Sequence, residues 1–246
     1  LDLRAPASPA RPLRGTDICV TFGGVKAVNE VSVEVGPGER VAIVGANGAG
    51  KTTLFNALTG FVPMERGTVS LGDADITAVP AFARIRSGLG RTFQQPRLAD
   101  ILTVRQSVLC GQSQSPDLVS RADWLMERFG IAPLAEIPVA VVPFGTRRKV
   151  EMARALARRP EVLLIDEPVS GLEDEEVNEL LGILLELQAA EGWGLLVIEH
   201  DLRFITAIGE HLVVMEDGEV IMQGPINEVL ADERVRRIYL GEVVGV

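Results

Sequence analysis

Short apolar runs alternate with amphipathic stretches along nearly the whole chain. Ile18–Thr21 and Val31–Val35 read as strands, the second in strict alternation as Val31-Ser32-Val33-Glu34-Val35. The turn Gly36-Pro37-Gly38 follows, then a short apolar strand, Arg40–Val44, that ends in glycines. A helical pattern starts near Lys51, runs to Leu58 and closes on Gly60. Val69–Leu71 and Gly90–Phe93 are further strands. From Pro96 to about Val142 the texture becomes helical, with patterns at Thr103–Leu109 and Asp117–Phe129 separated by the polar run Gly111–Pro116. Arg147–Arg158 is then a strongly amphipathic helix. Val162–Ile165 and Leu195–Ile198 are apolar throughout, as strands covered on both faces must be, and a long helix over Glu173–Ala190 joins them. His211–Met215 and Glu219–Met222 flank Glu216-Asp217-Gly218, whose Asp-Gly step predicts a β-hairpin. Short helices near Pro225–Leu230 and Glu233–Tyr239 close the chain. The pattern predicts an α/β fold: a mostly parallel central sheet covered on both faces, with a small helical insert and no internal repeat.

Composition refines this picture at three points. With 246 residues the chain can bury a sizeable core. A hydrophobic fraction of 47% and a mean hydropathy of +0.23 raise the question of a membrane span. The longest apolar stretches, Val162–Ile165, Leu180–Leu185 and Leu195–Ile198, fall far short of the ~20 residues a spanning helix needs. A net charge of −10 argues against nucleic acid as a partner, because no basic field exists to displace counterions from phosphates. The two cysteines, Cys19 and Cys110, are too few for a disulfide framework. Both sit among apolar residues and read as buried, inert thiols of a reducing, cytosolic protein. Residues 1–13, with Pro6, Pro9 and Pro12 spaced among alanines, read as a linker or tail without a secretion-signal pattern, and hint at a longer polypeptide upstream.

The strongest chemical signal is Gly45-Ala46-Asn47-Gly48-Ala49-Gly50-Lys51-Thr52, a full G-x-x-x-x-G-K-[ST] pattern between a strand and a helix. Its glycines allow successive backbone N–H groups to turn inward around phosphate oxygens, and the helix N-terminus adds partial positive charge. Lys51 reaches the β- and γ-phosphates and Thr52 offers a hydroxyl to Mg²⁺. Val162-Leu163-Leu164-Ile165 ends in Asp166-Glu167. The first carboxylate suits a Mg²⁺ site and the second can orient or deprotonate an attacking water.

Together with Thr92-Phe93-Gln94 and Glu199-His200-Asp201, these motifs resemble, in order and spacing, the ATPase subunits of ABC transporters over about residues 14–241. The resemblance is strongest to the ATP-binding subunits of branched-chain amino acid importers. It rests on Phe22–Val28, Gly48–Asn56, Arg91–Gln94 and the ending Tyr239-Leu240-Gly241-Glu242. The resemblance implies a P-loop NTPase with an antiparallel β subdomain, a small α-helical subdomain inserted over about 96–158, and a short tail at 242–246. It implies that ATP and Mg²⁺ are bound. Phe22 would stack on adenine and Val28 would line the base pocket. Gly45, Asn47, Gly48, Ala49, Gly50, Lys51, Thr52 and Thr53 would cradle the phosphates. Thr52, Gln94 and Asp166 would hold the metal, and Glu167, His200, Gln94 and Lys51 would serve hydrolysis.

Two departures stand out. Where the family signature (usually Leu-Ser-Gly-Gly-Gln) belongs, this chain has Val142-Pro143-Phe144-Gly145-Thr146. Pro143 replaces the serine and has neither a hydroxyl nor an N–H. Phe144, Gly145 and Thr146 are left to meet the nucleotide of a partner chain across a head-to-tail dimer. Glu173 stands where Asp is more usual, in a contact loop formed by Ser170-Gly171-Leu172. The resemblance implies a second ATPase subunit, the same or different, and a membrane permease, with the chain peripheral on the cytoplasmic face. The leading expectation is an ATP hydrolase that drives solute import. The alternatives are a nucleotide-gated regulatory subunit with little hydrolysis, and an exporter ATPase.

Overall fold

In a computed structural model, which describes residues 10–111 and 115–239, ten strands build two sheets, accompanied by nine α-helices and two short 3-10 helices. The first sheet is antiparallel. β1 (Leu13–Phe22) pairs with β2 (Val25–Val35) and with β4 (Arg66–Leu71), and β4 pairs with the two-residue β5 (Ala74–Asp75). Both hairpin strands outrun their expected bounds. The apolar–polar alternation breaks at register shifts between Gly15 and Thr21, which hid the continuity of β1.

The second sheet has six strands in the order β10-β9-β3-β8-β7-β6. These are β3 (Arg40–Gly45), β6 (Leu89–Arg91), β7 (Val162–Asp166), β8 (Gly194–Ile198), β9 (His211–Glu216) and β10 (Glu219–Pro225). Every pairing is parallel except that of β9 with β10. Asp217 and Gly218 both take positive φ, 47° and 83°, the geometry of a tight hairpin turn, so the Asp-Gly expectation holds.

α1 (Lys51–Leu58) lies between the two sheets. Its Leu54, Phe55 and Leu58 are fully buried and share one apolar cluster with Ile18, Val20 and Val31 of the antiparallel sheet and Ile43, Leu164 and Leu196 of the other. The opposite face of the six-stranded sheet, with Leu163, Ile165, Leu195 and Val197, packs on a second cluster. That cluster takes in α3 (Val104–Leu109), α4 (Pro116–Arg128), α5 (Phe144–Ala157) and α6 (Asp174–Glu191). Successive side chains of β7 therefore bury on opposite faces, which is why the run carries no polar residue before Asp166. α2 (Ala81–Arg86), absent from the sequence reading, is a single polar-faced turn and half. α7 (Leu202–Ile208), capped by Asp201, α8 (Ile226–Ala231) and α9 (Glu233–Tyr239) are the remaining helices of the described residues.

Two expectations are corrected, and three segments lie outside the described residues. α5 begins at Phe144 instead of Arg147: Pro143 is the N-cap in extended geometry (φ −56°, ψ 158°), and its carbonyl accepts the Arg147 N–H at 3.0 Å as the first bond of the helix. Cys110 is exposed where α3 ends, whereas Cys19 is buried as expected. Residues 1–9, the polar separator 112–114 and the ending 240–246 lie outside the described residues.

Candidate nucleotide site

Parallel pairing brings the ends of β3, β7 and β8 to one edge: Ile43 and Asp166 are both in register with Ile198. In an open parallel sheet this edge is where ligands bind. The Gly45–Thr52 loop leaves β3 here and closes on α1, whose N-cap is Gly50 at φ 94°. A Cβ on Gly50 would stand 2.2 Å from the Ala27 carbonyl oxygen, so the position requires glycine in both conformation and space. Lys51 folds back into the loop and donates from Nζ to the carbonyls of Gly45 at 2.6 Å and Ala46 at 2.9 Å. Burial pulls its pKa below the ordinary lysine value, opposed by Glu167 and Asp166. Asn47 and Gly48 are exposed on the loop, while the Ala49 side chain is buried beneath it.

Asp166 closes β7 at 1% exposure. Burial pushes its carboxyl up to about 6, with Arg91 and the hydrogen bond from Thr52 acting the other way. Its Oδ1 has no hydrogen-bond partner among the described residues. An unpaired buried carboxylate oxygen beside a hydroxyl is costly without a ligand, and an all-oxygen donor set suits a hard divalent cation. The residues present fit such an ion.

Glu167 takes a left-handed φ of 48° and donates its N–H to Ile198 O at 2.9 Å, which turns the chain sharply off the strand. Its carboxylate accepts from Gln94 Nε2 at 2.8 Å. Two residues expected to act on the attacking water thus lie in contact. His200 follows β8 with its side chain 66% exposed and Nδ1 3.5 Å from Glu199 Oε2. Glu199 had no role assigned from sequence. It is fully buried and accepts from the backbone N–H groups of Val169, His200 and Asp201, so it ties the segment after Glu167 to the His200 turn. An acid closing an apolar strand was the available signal.

Arg91 also escaped the sequence reading as anything but a motif letter. Its guanidinium lies among the rings of Phe55, Phe61 and Phe93, and donates to Phe55 O at 3.1 Å, to Asn56 Oδ1 at 2.8 Å and to Thr59 Oγ1. Burial lowers its pKa to about 10, still protonated at neutral pH.

Phe22 is half exposed at the end of β1, beside the Gly23-Gly24 turn. Val28 is different. It is fully buried in the core, paired in register with Val20, so it supports this region from beneath and does not line an open base pocket. At the α5 N-terminus Pro143 supplies no side-chain cap. Phe144 is 43% exposed, and its ring lies close against Gly171. Gly145 is buried so tightly against Glu176 that a Cβ would stand 2.3 Å from Oε1. Glu173 caps α6 through a box with Glu176, which accounts for the acidic start of that helix.

The Asp166 shift makes a direct prediction. A carboxyl bound more tightly to its proton in the folded chain than in the unfolded one favours folding below pH 3.8, and that contribution is lost as pH rises through about 6. In divalent-free buffer, Asp166→Asn should therefore be more stable than wild type at neutral pH, by about 3 kcal/mol. The gap should shrink to nothing as pH falls through that window. Denaturant midpoints measured across pH test it; a gap independent of pH would refute it.

A glycine-rich loop entering a helix, a buried Asp closing β7 two strands away in the same sheet and a following Glu held by Gln define an ATP-hydrolysing P-loop domain. A family description for ABC transporters matches residues 28–170. The chain belongs to the ABC transporter family, as an ATP-binding subunit. It is 35% identical to the high-affinity branched-chain amino acid transport ATP-binding protein LivG of Escherichia coli K12, over 92% of this chain and 96% of that protein. It is also 35% identical to the lipopolysaccharide export system ATP-binding protein LptB of the same organism, over 94% and 97%. A crystal structure of the ADP conformation of an ATP-binding cassette superposes with a TM-score of 0.84 at 31% identity, covering 94% of this chain and 99% of the other.

Proposed function

We propose that this chain is the subunit that turns ATP hydrolysis into solute movement through a partner permease, with import of branched-chain amino acids or related solutes as the favoured direction. The observation that carries it is the meeting, at one sheet edge, of the Gly45–Thr52 loop, the unpaired Asp166 oxygen and the Gln94–Glu167 contact. In this reading the loop N–H groups and Lys51 hold the phosphates, with Thr53 at the start of the helix behind them. Thr52, Asp166 and Gln94 hold the cation. Glu167 orients and deprotonates the attacking water, His200 contacts the γ-phosphate and Phe22 stacks on the base. Bound Mg²⁺ would neutralise phosphate charge as the terminal bond breaks.

A second copy or a related subunit would close over the nucleotide with the N–H groups of Phe144, Gly145 and Thr146. With no helix among the described residues long and apolar enough to cross a membrane, a peripheral place on the cytoplasmic face beneath a permease suits the reading. Arg91-Thr92-Phe93-Gln94 and the LivG similarity favour import; the equal identity to LptB favours export as the second reading. Co-expression with candidate permeases and ATP-dependent uptake into vesicles of either orientation tests both direction and solute. Failure to accumulate any amino acid, with export instead, would overturn the import assignment.

Pro143 removes a hydroxyl that would reach the partner's nucleotide. A hydrogen bond to a charged group is worth about 1.5–3 kcal/mol, or tenfold or more in rate. Pro143→Ser should accelerate turnover at the dimer site that uses this chain's α5, by about tenfold. Unaltered cross-site turnover would sink the idea.

A further inference from the structure

One face of α5 grips the backbone of the loop that carries Gln94. Phe144, Arg148, Glu151 and Arg154 follow at spacings of four, three and three, so all lie on one side of the helix. Arg148 and Glu151 are fully buried. Arg148 donates from Nη1 to Phe93 O at 2.7 Å and from Nη2 to Gln94 O at 2.6 Å. Glu151 Oε1 accepts from the N–H groups of Phe93 and Arg97, both at 3.3 Å, and Arg154 donates to Arg97 O at 2.8 Å. Glu151 lies 3.7 Å from the guanidinium nitrogens of both arginines. A segment without helix or strand structure thus has its polar backbone groups tied at both ends to a single helix.

Arg148 also touches the nucleotide-facing end of α5. The exposed Phe144 ring lies 5.3 Å from its guanidinium carbon. At the other end of the same contacts, the Gln94 side chain holds Glu167 at 2.8 Å. A buried ion pair is weak evidence of stabilisation, since an apolar pair of the same volume often does as well. What an apolar pair cannot do is fix two successive carbonyls with a planar fork.

We propose that Arg148, backed by Glu151, is the positioning residue for Gln94, transmitting the placement of α5 to the Gln94–Glu167 contact. The proposal rests on the reading that Gln94 serves hydrolysis. It requires that Arg148 act through Gln94, and a double-variant cycle can show this.

The test uses the full chain across a range of ATP concentrations at saturating Mg²⁺. Gln94→Ala sets the reference. Arg148→Lys, which keeps the charge and loses the fork, should lower kcat about tenfold with KM for ATP within about twofold. In the Gln94→Ala background the same change should cost less than about twofold. Hydrogen exchange should quicken at the amides of Phe93 and Arg97 while β7 and β8 stay protected. A multiplicative loss in the double variant, or an unchanged kcat in Arg148→Lys, overturns the proposal alone. An unchanged kcat in Gln94→Ala overturns the role of Gln94 and the proposal with it. If Arg148→Lys does not fold, Glu151→Gln, which keeps the shape and an acceptor oxygen, enters the same cycle with the same expected non-additivity.

Discussion

Glu167→Gln should lower steady-state ATP turnover by about 10²–10³-fold while leaving nucleotide affinity within a few-fold of wild type. The substitution keeps the size of the side chain and an acceptor oxygen for Gln94 Nε2. Gln tolerates the left-handed backbone at this position no worse than Glu, so the turn off β7 should survive. What is removed is the negative charge able to take a proton from water. The phosphate loop and Lys51 make their own contacts with each other and do not depend on that charge for their geometry. Phosphate release together with titration of a fluorescent ATP analogue separates the two effects. Comparable turnover in wild type and variant would favour a nucleotide-gated regulatory subunit, the reading that Pro143 and Glu173 bring to mind.

Arg121→Met should destabilise the whole chain by about 3–5 kcal/mol. Arg121 of α4 and Glu191 at the end of α6 form an ion pair at 2.5 Å with side chains 0% and 3% exposed. The guanidinium also lies over the Trp124 ring, 4.7 Å from its centroid. Burial raises the pKa of Glu191, and Arg121 is the chief influence opposing that rise. Without the arginine a carboxylate is stranded in the core, or must take up a proton to remain there. For a chain of this size the loss corresponds to a fall in melting temperature of roughly 6–20 °C. The double variant Arg121→Met with Glu191→Met should recover most of it, because desolvated charge and partner leave together. A double variant as unstable as the single one would mean that the pair itself, and not the stranded charge, carries the stability.

Much of this was legible in order along the chain, because it depends on local rules. The apolar run before Asp166 announced a strand buried on both faces, and Gly45–Thr52 announced a phosphate loop with its flanking strand and helix. Where the reading failed, the deciding contacts were distant. Val28, which the resemblance placed beside the base, packs in the core opposite Val20 across the hairpin. Cys110 sits in an apolar stretch, but α3 ends there and turns it outward. The start of α5 was placed three residues late because Pro-Phe-Gly reads as a loop until proline at the N-cap is allowed for. Arg148 and Glu151 meet a loop more than fifty residues away, a pairing that no local spacing reveals.

The contrast between the two cysteines has a practical side. One thiol is enclosed in the antiparallel sheet and the other is open where α3 ends. A maleimide dye or nitroxide would therefore attach at a single, known place on the unaltered sequence. In a pair of such chains, two identical labels would give one distance. Its change on adding ATP would report how the ends of α3 in the two chains move relative to one another, without any engineered residue.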